Sequence, residues 1–109
     1  MSNSLRNQIQ VLYETSPSQY GMLRSYAEEL EALLTGSSHN YPTVKQLLAS
    51  SDTPAIPPQV VGNLLTLCDQ FGILVTHSKR NTSNRYDLTQ FNQKRMQKLI
   101  HLLDQEPFD

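Results

Sequence analysis

Tryptophan is absent from this 109-residue chain, cysteine occurs once and glycine only four times. The lone Cys68 excludes an intrachain disulfide framework and points to a reducing compartment. No Gly-rich phosphate loop, no Gly-x-Ser-x-Gly turn and no plausible nucleophile–base pair is visible in the sequence. An enzyme is therefore not expected, and no catalytic residue is assigned. His39, His77 and His101 are scattered, and with one cysteine they offer no zinc-type spacing, so neither metal nor cofactor is expected. No apolar run approaches the roughly 18 residues that would suggest a membrane span. The first twenty residues lack the apolar stretch of a signal peptide. The expected location is cytoplasmic.

Charge of one sign is also missing: nine Lys and Arg stand against ten Asp and Glu, a net charge of −1. A duplex-binding protein neutralises phosphates with cations, so this balance alone argues against nucleic acid. The distribution argues the other way. Residues 62–101 hold Lys79, Arg80, Arg85, Lys94, Arg95 and Lys98 against Asp69 and Asp87, a local surplus of four. Acidic residues gather before and after that stretch. Local concentration sets the field that a partner meets.

The apolar pattern is helical over most of the chain. Leu5, Ile9 and Leu12 predict a short amphipathic helix over residues 4–14, followed by a break over 15–19. Leu23, Tyr26, Ala27, Leu30, Leu33 and Leu34 predict a longer helix that Gly36 stops. Thr43 and Gln46 have the spacing of a capping box, with a short helix through Val44, Leu47, Leu48 and Ala49. Pro57 and Pro58 open a further helix, where the missing N–H costs nothing. Val60, Val61, Leu64, Leu65, Leu67, Cys68 and Phe71 make that helix apolar on more than one side, and Gly72 ends it. Strands are predicted over 73–76 and 85–89, joined by a polar segment, and a last helix begins near Thr89 or Asn92 and runs to about Gln105. The predicted core is Leu30, Leu34, Leu47, Val61, Leu65, Cys68, Ile73 and Leu88.

The order of elements, together with Gln59-Val60-Val61-Gly62-Asn63-Leu64-Leu65-Thr66-Leu67-Cys68-Asp69-Gln70-Phe71-Gly72-Ile73-Leu74 and Arg85-Tyr86-Asp87-Leu88-Thr89, resembles the winged helix-turn-helix superfamily. The first segment is similar to the recognition helix and following turn of small bacterial and archaeal repressors, the second to the closing strand of their hairpin wing. The resemblance spans roughly residues 20–105. It implies a mostly α (α+β) domain with a two-stranded wing and flanking terminal helices. Residues 1–19 would form an N-terminal helix or arm, and 106–109 a tail.

On this reading the partner is double-stranded DNA and the role transcriptional regulation. Gln59, Asn63 and Thr66 share one face of the helix, and side-chain amides suit the adenine edge in the major groove. Lys79, Arg80 and Arg85 suit phosphates or the minor groove, and Thr43 and Lys45 a phosphate at the start of the short helix. Leu5, Ile9, Leu12, Met96, Leu99, Ile100 and Leu103 form apolar stripes on the terminal helices, expected to pair two copies as a homodimer. The recognition segment departs from the family pattern by lacking any cation between Gln46 and Lys79. A second reading therefore stands beside the first: a winged helix that binds a protein within a larger assembly, through surplus apolar positions at Val60, Leu64 and Leu67.

Overall fold

The computed structural model describes residues 4–49, 56–78 and 84–105. Among them the chain is mostly helical with one small antiparallel sheet, as the α+β expectation has it. Helix α1 (Leu5–Thr15) starts at Ser4, whose hydroxyl accepts the Asn7 N–H at 3.2 Å. Its Leu5, Ile9 and Leu12 lie at helical spacing and are all buried. The break that follows is a single residue, Ser16, not the five expected, because Pro17 fits the first turn of α2 (Pro17–Thr35). Helix α2 is the longest, and it packs against every other helix.

Helix α3 (Val44–Ala49) is short and is set by its capping box. The Gln46 N–H donates to Thr43 Oγ1 at 3.2 Å, and the Thr43 N–H donates to Gln46 Oε1 at 3.0 Å. Helix α4 (Pro58–Gln70) buries Val61, Leu64, Leu65, Leu67 and Cys68. These residues take up most of its circumference, so α4 is gripped by its neighbours on two sides. Leu64 and Leu67 are thus core rather than surplus apolar surface, and Val60 is half-buried.

Helix α4 ends in a left-handed turn at Gly72, with φ 74°. The Gly72 N–H reaches Asp69 O at 3.1 Å and the Ile73 N–H reaches Cys68 O at 2.9 Å. Those two bonds satisfy carbonyls that a helix end leaves without partners. Ile73 and Leu74, expected to open a strand, are instead the buried residues of this turn. Strand β1 (Val75–Ser78) begins two residues later and pairs antiparallel with β2 (Arg85–Asp87), with a register irregularity between Thr76 and Ser78.

Residues 40–42 run antiparallel along the other side of β2. The Tyr86 N–H donates to Pro42 O at 3.0 Å, and the Leu88 N–H donates to Asn40 O at 2.9 Å. Strand β2 is therefore flanked on both sides. A 3-10 turn (Leu88–Gln90) interrupts the expected run to residue 89, because Asp87 caps it through the Thr89 N–H and hydroxyl. Leu88 is consequently half-buried, not fully buried as predicted. Helix α5 (Gln93–Gln105) follows, with Asn92 Oδ1 accepting the Arg95 N–H at 3.0 Å.

One continuous core joins all five helices to the inner face of the sheet through Tyr86. It includes Leu5, Ile9, Leu12, Met96, Leu99 and Leu103, each of them buried within this single chain. The stripes expected to meet a second copy thus meet α2 and one another, and α1 is part of the core rather than an arm. Of the seven proposed pairing residues only Ile100 stays half-exposed. Residues 106–109, expected to be a tail, lie outside the described residues.

Two substitutions test this packing. Leu65→Ala should cost about 2–5 kcal/mol in a denaturant titration, the range for a buried leucine. Gly72→Ala should cost about 1–2 kcal/mol, because a Cβ disfavours the left-handed conformation, although the added carbon would meet only Arg95 Nε, at 3.5 Å.

Candidate nucleic-acid interface

Burial of α4 on two sides leaves one polar strip. Gln59, Asn63, Thr66 and Gln70 are all exposed, at spacings of four, three and four residues, and so share a face. Gln70 was not singled out from the sequence, although its spacing continues the series. Within this strip Thr66 Oγ1 donates to Gly62 O at 3.1 Å, which fixes the hydroxyl against its own helix. Gln59 and Asn63 carry the amide chemistry that remains.

Gly62 lies between them, and a Cβ built there meets nothing within 4 Å. No neighbour in the fold therefore requires glycine at this point. Glycine inside a helix costs roughly 0.5–1 kcal/mol relative to alanine.

Thr43 is half-buried and its hydroxyl serves the capping box, whereas Lys45, two residues on, is exposed. Arg85, at the start of β2, reaches back to α3. Its Nη1 donates to Tyr41 O at 3.1 Å and to Gln46 Oε1 at 3.5 Å. The structure thus brings Lys45, the capping box and Arg85 to one corner beside the sheet. Lys79 and Arg80, the expected hairpin-tip cations, lie outside the described residues.

The outer face of the sheet carries two aromatic residues that sequence reading did not select. Tyr41 and His77 meet with ring centroids 4.3 Å apart and ring planes tilted by 41°. They come from opposite sides of β2, so no local spacing could have signalled the contact. On the inner face, Thr76 Oγ1 donates to Asp69 Oδ2 at 2.6 Å, tying β1 to the last turns of α4. That bond takes up the one acidic side chain of α4.

Arg95 looked from the sequence like part of a basic surface, yet it is half-buried. Its Nε donates to Phe71 O at 2.5 Å and its Nη2 to Gln8 Oε1 at 3.1 Å. Gln8 Nε2 in turn donates to Gln70 O at 3.3 Å. Arg95 is a structural cation at the negative end of α4, where a helix favours positive charge. Lys94 and Lys98 are exposed on the same helix, α5.

Cys68 is fully buried, and burial pushes its thiol up from 9.0 to about 12. A neutral buried thiol is neither a nucleophile nor a redox sensor. Among the described residues no group of three or more His, Cys, Asp or Glu could hold a metal ion. No helix among them is long and apolar enough to cross a membrane. Comparison with protein-family models, curated proteins and solved structures gave no match to this chain.

Gly62→Ala should stabilise the protein by about 0.5–1 kcal/mol in thermal or denaturant unfolding; a loss of stability would mean that a neighbour does need the space. Cys68 gives a second test. Its folded thiol ionises above its unfolded one, so the folded state holds the proton longer as pH rises. Stability from this group should be complete below pH 9.0 and decline from there towards pH 12. A disulfide reagent should accordingly label Cys68 only after denaturant is added.

Proposed function

We propose that this chain is a winged-helix domain that binds double-stranded DNA and acts in transcriptional regulation. The observation that carries the reading is the division of α4. Its apolar sides are taken up by the core, with Val60 half-buried at the margin, and its one free side presents Gln59, Asn63, Thr66 and Gln70. An exposed helix of this kind, next to a hairpin, suits insertion into a major groove about 12 Å wide. The course of the chain supports it too, since α3, α4 and then the hairpin of β1 and β2 follow α2 in the order expected for a two-stranded wing.

The competing protein-interaction reading loses its main argument here, because Leu64 and Leu67 are buried. The two-copy part of the proposal changes its ground. With the terminal stripes buried, the surface we propose for a second copy is the seam of α2 and α5, where half-exposed Ile100 lies among Arg24, Glu28 and Asp104. Charges of both signs at one seam allow a two-fold contact to pair them. Light scattering, with and without duplex, should report a mass of two chains.

The two chemistries of the DNA site separate by experiment. Asn63→Ala should relax sequence preference at one base-pair position by about 1–3 kcal/mol and leave the salt dependence nearly unchanged. Lys79→Ala or Arg80→Ala should weaken binding to all duplexes alike and reduce the salt slope by about 1. Selection from random duplex DNA followed by binding titrations at several salt concentrations reads both effects. No enriched sequence and no duplex binding at low salt would overturn the proposal.

A further inference from the structure

Arg85 is an exposed cation whose guanidinium is held by two acceptors. Both bonds use Nη1. Among the described residues neither Nε nor Nη2 has a partner, and the side chain is exposed. A guanidinium carries five N–H donors in a rigid fork, and its Nε/Nη2 edge offers two parallel donors that match a phosphate. Anchoring one nitrogen removes part of the rotamer entropy that a long cation loses on binding.

The surroundings fit an anion as well. Strand β2 alternates Tyr86 into the core with Arg85 and Asp87 outward, and β1 likewise sends Thr76 inward and His77 outward. His77 is exposed, and its ring is steadied by Tyr41, itself 40% exposed. Lys45 is exposed next to Gln46 in sequence, at the α3 side of the same corner. The acid on this sheet face is Asp87, and its Oδ1 is occupied by the Thr89 N–H and hydroxyl.

We propose that Arg85, His77 and Tyr41 form a preorganised contact for one phosphate of a DNA strand at the corner of the sheet and α3. Arg85 binds through its Nε/Nη2 edge, with Tyr41 O and Gln46 Oε1 as the positioning groups behind it. His77 supplies a ring N–H from a ring that Tyr41 keeps in place. The inference rests on the duplex-binding reading above and adds to it a site on the sheet face, separate from α4. It also makes Arg85 more than a diffuse charge.

Arg85→Lys is the decisive variant, since it keeps the charge and removes the fork. Duplex affinity should fall on the order of tenfold, the loss of one charge-assisted hydrogen bond, while the salt slope stays as in the unsubstituted protein. Phosphate ethylation interference should mark one phosphate outside the α4 footprint, and the mark should vanish in Arg85→Lys. His77→Ala, at an exposed position, should weaken the same mark and guards against an Arg85 variant that fails to fold. Duplex binding by Arg85→Lys equal to that of the unsubstituted protein, or an unchanged interference pattern in both variants, would overturn this contact and leave the α4 reading intact. Absence of duplex binding by the unsubstituted protein would overturn both.

Discussion

The end of α4 is the constraint on which the rest of the fold depends. A helix leaves its last carbonyls without partners, and here protein groups take them up at a partly exposed end. Gly72 reverses the chain and satisfies two of them, Arg95 from α5 takes Phe71 O, and Gln8 from α1 takes Gln70 O. Two distant segments, α1 and α5, are thereby tied to one turn of backbone. The same reversal sets the direction in which β1 leaves, and so where the hairpin stands relative to the polar strip of α4. Asp69 reinforces that angle from within the helix by holding Thr76.

Much of this architecture was legible in the residues because it rests on local signals. Helix positions followed the apolar spacing, the capping box formed as Thr43 and Gln46 suggested, and Gly72 stopped α4. The differences are non-local in origin. Ile73 and Leu74 are β-formers by type, yet the turn needs apolar residues to drop into the core, which displaces the strand to Val75. Leu88 looked like an inward strand residue until Asp87 turned the chain. The stripes on α1 and α5 were read correctly as apolar faces. Spacing alone cannot tell whether such a face meets its own chain or another, and here it meets its own.

The candidate site was legible only in part, for the same reason. The amides of α4 could be placed because a helix face is a local property. Arg85 and Arg95 were indistinguishable in sequence from free surface cations, yet both bind backbone carbonyls, Arg95 from a half-buried position. The local surplus of four positive charges thus overstates what a partner would meet. Tyr41 and His77 are far apart in sequence and gave no signal, since what brings them together is the pairing of residues 40–42 with β2.

That pairing has a consequence for how the protein behaves in company. A small exposed hairpin invites strand addition from other chains, because an open edge offers unpaired backbone groups. Residues 40–42 cover one side of β2, and the carbonyl of Tyr41, which by strand alternation faces away from β2, is covered by Arg85. On the opposite edge, the Thr76 N–H is taken by Asp69 at 3.4 Å. On each margin of the described sheet one backbone group is thus held by a side chain and withheld from any strand added by another chain.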